Sequence, residues 1–206
     1  MEQPDPLLEW GSFMEAVEKA IDRPGVGYGN AGADGFNAAG QHVLTLLEDA
    51  VAIYQKGSYG TAAFLAVTAL EETAKTDILT FRRERDGDVR PKGRDPLRDH
   101  AEKHKIAVRP TVWMGQRLIE AIGRDRCLAI KAEVEGGGLT ALREAGLYVA
   151  FDGGKIVSPS EAISKGRARE ILLVALEAAD DILVGSTNAS YEWTAPLESL
   201  FKTVSG

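Results

Sequence analysis

One cysteine, three histidines and no long apolar run characterise this chain of 206 residues. The single thiol, Cys127, excludes an internal disulfide and a paired-cysteine metal site, and it suits a reducing compartment. No uninterrupted apolar stretch approaches the roughly 20 residues that a bilayer requires. The opening "MEQPDPLLEW" is acidic and lacks the basic start and apolar run of a secretory leader. Together these absences predict a soluble, cytoplasmic protein with no membrane association. A net charge of −7 argues against tight, indiscriminate binding to nucleic acid.

What is present is ordinary globular material, 44% hydrophobic and 27% charged, long enough for one domain spanning 1–206. The charge is uneven. Residues 82–109 carry ten Lys or Arg against six Asp or Glu, with His100 and His104 among them. A local basic patch on an acidic body results, and Arg82, Arg83, Arg98 and Lys105 are its candidate RNA-binding residues.

The dominant hydrophobic period is helical. A first helix is predicted over Leu7 to Ile21, ended by the glycine-rich segment 24–35. A second spans about Phe36 to Tyr54, and a third, capped by Ser58, about Tyr59 to Arg85. Asp95 before Pro96 marks the start of a fourth that ends near Arg109, so 82–109 reads as a basic helix-loop-helix. A fifth is predicted over Thr111 to Glu135, then a short helix "LTALREAG". "LYVAFDGGKIV" predicts a small hairpin within 148–157. One long helix should come next, from "SPSEAI" to about Leu183, and "YEWTAPLESLF" adds a short one. The fold class is all-α, a helical bundle with a β-hairpin insertion.

The stretch "FLAVTALEETAKTDILTF" (64–81) concentrates the functional question. At 3.6 residues per turn, Phe64, Leu65, Thr68, Glu71, Glu72, Lys75, Ile78 and Leu79 share one stripe, and small or apolar residues cover the other sides. A helix apolar all round is buried. The three charges could be a solvated i,i+3 and i,i+4 set, or they could be buried and need a further cation, because an unpaired buried carboxylate costs several kcal/mol. The fourth helix offers one. His100, Lys103 and His104 share a face, opposite Arg98, Glu102, Lys105 and Arg109, which read as solvated. Antiparallel packing of the two helices would place imidazoles and ammonium groups on the carboxylates, a setting that perturbs pKa values.

At these residues the sequence resembles the AbiV-type abortive-infection proteins, phage-defence members of the HEPN superfamily of helical domains. "LAVTALEETAK" (65–75) looks like their Glu-Glu-x-x-Lys helix, and "RDHAEKHK" (98–105) like their His-x-x-Lys block. "LREAGLYVAFDGGKIVSP" (142–159) is similar to their Leu-Arg-x-x-Gly-Leu-Tyr-Val segment. The resemblance implies a helical bundle, a homodimer and a phage-defence or toxin-like role, and it raises RNA cleavage without a metal. The wider superfamily places an Arg four to six residues before a His. Here the pairs are Arg94…His100 and Arg98…His104. The second pair lies about 120° apart on a straight helix. Asp95 and Asp99 stand where active members carry a polar residue after the Arg.

Three functions compete. As an endoribonuclease, His100 would act as general acid or base, with His104 the alternate. Lys103 or Arg94 would bind the phosphate, and Glu71 and Glu72 would orient the imidazole and hold Lys75. As a non-catalytic module, the protein would bind a phage or host protein and block growth or translation, its charged cluster being structural. As a metal centre, His100 and His104 would join Glu71 or Glu72, against the repulsion of Lys75 and Lys103. No cofactor or metal is expected. His42, Trp113 and Trp193 read as structural, and Arg124 and Arg126 could lower the pKa of Cys127, which otherwise reads as packing. The glycine-rich segment reads as a connection or a flap over the cleft.

Overall fold

A computed structural model describes residues 5–23, 32–82 and 94–206. The fold is helical with one two-stranded ribbon, as the periodicity predicts. Its elements are cut more finely than the sequence suggests, and each cut has a local cause.

Asp5 caps a single 3₁₀ turn, Pro6–Leu8, after which Glu9 is extended, so α1 begins only at Gly11–Ile21. Helix α2, Gly32–Gln55, starts earlier than expected and takes the last glycines of the 24–35 segment into its first turn, where Asp34 favours the positive helix end. Residues 24–31 lie outside the described residues. Helix α3, Tyr59–Phe81, stops short of Arg85 because Arg82 is extended and folds its side chain back. Ser58 stands at its N-cap position but bonds the Thr61 hydroxyl rather than a backbone N–H.

The predicted fourth helix is two pieces. Asp95 caps a 3₁₀ turn, Pro96–Arg98, and Asp99 caps α4, His100–Ala107, by accepting from the N–H groups of Ala101 and Glu102. Two short acidic side chains, each bonding its own downstream backbone, divide the segment. The predicted fifth helix is also broken, into a 3₁₀ turn Pro110–Trp113, α5 Arg117–Ile122 and α6 Arg124–Glu135. The breaks fall at Gln116 and Gly123, both at positive φ. Helix α7 spans Gly138–Leu147. Strands β1 (Ala150–Asp152) and β2 (Lys155–Val157) pair antiparallel across Gly153-Gly154, with Phe151 opposite Ile156. The long helix expected next begins with a separate turn, α8 Pro159–Ala162, before Ser164 caps α9, Lys165–Leu183. Helix α10, Thr194–Ser205, comes after a 3₁₀ turn at Ala189–Trp193.

Helix α3 lies at the centre, packed by α2, α9, α7 and α4. Its alanines 62, 63, 66, 69 and 74 are fully buried, and their small side chains let neighbouring helices approach from several sides. One core runs from Leu7 to Val204 and includes Trp113 and Trp193, as expected. Cys127 is part of it, as the packing reading expects, and burial raises its thiol pKa despite nearby Arg124. His42 is exposed on α2, contrary to the structural reading. Among the described residues no helix is long and apolar enough to cross a membrane.

Helix α7 reaches α3 through a glycine. A Cβ built at Gly146 would lie 2.6 Å from the Gly60 carbonyl oxygen and 3.3 Å from the Phe64 nitrogen. Only glycine permits this contact, and it brings one face of α7 against the first half of α3.

Candidate functional site

Glu71 is the hub. It is buried midway along α3, and three side chains of α4 reach it. Nδ1 of His100 lies 2.8 Å from its Oε1, and Nε2 of His104 lies 3.2 Å from the same oxygen. The ammonium of Lys103 donates to Oε2. From α7, Arg143 places its Nε 3.5 Å from Oε1. Burial alone would raise the pKa of this carboxyl. The bonds from His104, Lys103 and His100 outweigh burial and hold it down at about 2.

The α4 geometry is set by its cap. Asp99 fixes the first turn, so that positions 100, 103 and 104 fall on one face, as the sequence spacing predicts. Within that face the surroundings diverge. His104 is fully buried, and its Nδ1 has no hydrogen-bond partner among the described residues. Lys103 is buried too. His100 sits at the rim with its side chain 41% exposed. The ring therefore gives Nδ1 to the buried carboxylate while part of the side chain stays at the surface.

The other expected site residues separate from this hub. Glu72 and Lys75 bond each other as a half-exposed pair, so Glu71 alone orients the imidazole and Lys75 does not join it. Arg94 is exposed and donates to the Arg98 carbonyl at 3.1 Å, while Arg98 is exposed. Arg82 is buried and committed to the Asp95 carboxylate at 3.0 Å and to the Ala20 carbonyl, so it presents no charge at the surface. Lys105 pairs with Glu102 at 3.1 Å. Arg109, expected to be solvated, reaches Asp77 at 3.2 Å. Arg83 lies outside the described residues.

For the metal reading, Glu71, His100 and His104 do meet, but Lys103 and Arg143 occupy the same carboxylate. Among the described residues, no group of three or more His, Cys, Asp or Glu side chains is arranged to hold a metal ion.

Arg143 is the residue that sequence reasoning missed. It lies within the segment "LREAGLYV", three positions before Gly146. Its guanidinium rests over the Phe64 ring at 5.1 Å, which fixes its direction toward Glu71. A signal existed: a lone cation on an otherwise apolar face of a short helix, just ahead of a glycine that allows close packing.

The family model HEPN_AbiV, described as AbiV, matches residues 32–179, well over half of the chain and inclusive of every residue around Glu71. No curated protein and no solved structure matches the chain.

Proposed function

The chain belongs to the AbiV family of HEPN domains, and we propose that it serves phage defence by abortive infection, cleaving single-stranded RNA at the rim of the Glu71 cluster. The observation that carries this reading is His100. Its Nδ1–H is held at 2.8 Å by a buried, ionised carboxylate, while its side chain is 41% exposed at the rim. A carboxylate on one nitrogen fixes the tautomer and the ring direction, and leaves the lone pair on the other.

In the reaction, Nε2 of His100 accepts the proton of a ribose 2′-OH. The freed oxygen bonds to the adjacent phosphorus, and the bond from phosphorus to the 5′-oxygen breaks. The leaving oxygen takes a proton from water, and the products are a 2′,3′-cyclic phosphate and a 5′-hydroxyl. No metal is needed in this scheme. Buried His104 and Lys103 act through Glu71 as positioning residues. The test uses single-stranded RNA with the full-length protein in chelator. Wild type should cleave, and His100→Ala should lose about 10²- to 10⁴-fold in rate while its thermal melt still shows a folded protein. Cleavage by His100→Ala at the wild-type rate rejects the assignment.

A second reading rests on a different surface. Leu147, Tyr148, Val149, Phe151 and Ile156 are all exposed at the end of α7 and on the hairpin, Phe151 by 80%. A run of large apolar side chains in water marks an interaction surface. In this reading the domain is a homodimer that binds a phage or host component and blocks growth or translation. Phe151→Ser with Ile156→Ser should then abolish phage protection, and light scattering should report any loss of the dimer. Protection should survive His100→Ala. Protection retained by the hairpin variant rejects this reading.

A further inference from the structure

We propose that Arg143 is the phosphate-binding residue of this site, in the role that the sequence reading gives to Lys103 or Arg94. The inference rests on the nuclease reading of His100 and extends it by naming the group that holds the substrate's phosphodiester. It stands on charge, hydrogen bonding and position.

Among the described residues, the charge around Glu71 does not balance. The carboxylate carries one negative charge, and Lys103 already donates to Oε2. Arg143, whose guanidinium is permanently ionised, adds a second full positive charge within 3.5 Å of Oε1. Glu72 gives no relief, being bonded to Lys75. An excess of one positive charge, part-buried against α3, is unfavourable until an anion joins it.

The hydrogen bonding of Arg143 is incomplete. Its Nε is buried without a hydrogen-bond partner among the described residues. Among the described residues no acceptor is bonded to its terminal nitrogens either. Six other buried or half-buried arginines among the described residues are different: Arg82, Arg109, Arg117, Arg126, Arg167 and Arg169 each donate to a carboxylate or a backbone carbonyl. Arg143 is held from below by the Phe64 ring instead, and its side chain is 26% exposed. A fork of donors that is fixed in direction, without an acceptor and open to water is preorganised for a bidentate oxyanion.

Its position is also right for the chemistry. Arg143 and His100 approach the same carboxylate oxygen, Oε1, from α7 and α4. The base and the phosphate ligand are therefore neighbours. A phosphodiester held on the guanidinium would lie beside the imidazole that must reach the adjacent 2′-OH. Arg94 and Arg98 are exposed on the segment before α4, with Arg94 bonded to the Arg98 carbonyl.

The test separates binding from catalysis. Inorganic phosphate is titrated into the full-length protein and followed by the ring proton resonances of His100. Wild type should show a saturable shift. Arg143→Gln should weaken phosphate binding about tenfold or more, and Arg143→Lys should restore it in part, since a point charge replaces the fork. Arg98→Ala should bind as wild type does. Thermal melts select the folded variants, and Arg143→Lys, which keeps the charge beside Glu71, carries the test if Arg143→Gln does not fold. Wild-type phosphate affinity in either Arg143 variant overturns the inference. Arg143-dependent phosphate binding by a wild-type protein that cleaves no RNA would uphold the inference and end the nuclease reading.

Discussion

Glu71 and Glu72 are adjacent in the sequence, yet they occupy different electrostatic worlds. Glu71 is buried and accepts from His100, Lys103 and His104, while Glu72 stands half-exposed with Lys75 as its partner. One step along a helix turns the side chain by about 100°, which is enough to move a carboxylate from the core to the rim.

The first prediction comes from that contrast. Glu71→Gln leaves buried Lys103 without its counter-charge and should destabilise the protein by about 3–5 kcal/mol. Glu72→Gln breaks a half-exposed pair and should change stability by less than about 0.5 kcal/mol. Urea unfolding at neutral pH measures both. Equal effects from the two variants would show that Glu71 is not the hub.

The same carboxylate sets an acid window. Its folded pKa of about 2 lies below its ordinary 4.5, so the folded state binds the proton less readily than the unfolded chain does. The stability this confers is complete above pH 4.5 and is lost as pH falls toward 2, amounting to about 3 kcal/mol. Asp77, Glu177 and Asp180 run the other way, because burial raises their pKa values and their ionisation opposes folding. The wild-type curve is the sum of both. The difference between wild type and Glu71→Gln isolates Glu71. That difference should be flat above pH 5 and shrink steadily below pH 4.5. A difference independent of pH down to 2 would refute the assignment.

Much of this was legible in the sequence, for identifiable reasons. The helical period, the buried character of α3 and the meeting of Glu71 with His100, Lys103 and His104 arise from spacing and from the cost of an unpaired buried charge. The helix breaks at Asp99, Gln116 and Ser164 were not legible, because each rests on one side chain or one positive φ inside an otherwise helical pattern. The exclusion of Lys75 could not be read either. Positions 71, 72 and 75 share a stripe wide enough to straddle the edge of the core, and the pattern does not say where that edge falls. Arg143 was harder to place for a further reason. It comes from a third helix, far along the chain, and its placement depends on the contact between Gly146 and Gly60.

A second prediction about buried charge concerns the opposite half of α9. Glu177 and Asp180 share one guanidinium, that of Arg117, with Asp180 at 2.8 Å and Glu177 on Nε. Burial pushes the pKa of Glu177 up, and the charges of Asp180 and Asp181 push it the same way. Ionising it at neutral pH therefore works against folding. Glu177→Gln keeps the shape, leaves Arg117 its bond to Asp180, and should stabilise the protein by about 1 kcal/mol at pH 7. The gain should vanish below about pH 4. Denaturant melts at the two pH values decide it, and destabilisation at both would mean that the Arg117 pair is net favourable.

The last prediction ties packing to the site. Gly146 stands where a methyl group would meet the Gly60 carbonyl oxygen at 2.6 Å and the Phe64 nitrogen at 3.3 Å. Both obstacles are backbone of α3, which cannot rotate away as a side chain could. Gly146→Ala must therefore lift α7, at about 1–3 kcal/mol for the overpacking. Arg143 lies one turn earlier on the same helix, over Phe64 and 3.5 Å from Glu71, so the lift withdraws it from both. The bond between His100 and Glu71 belongs to α3 and α4 and should persist. The variant should stay folded with a lowered melting temperature and a phosphate affinity close to that of Arg143→Gln, its His100 resonances otherwise unperturbed. Wild-type phosphate affinity with the lowered melting temperature would show that the position of α7 does not govern the site.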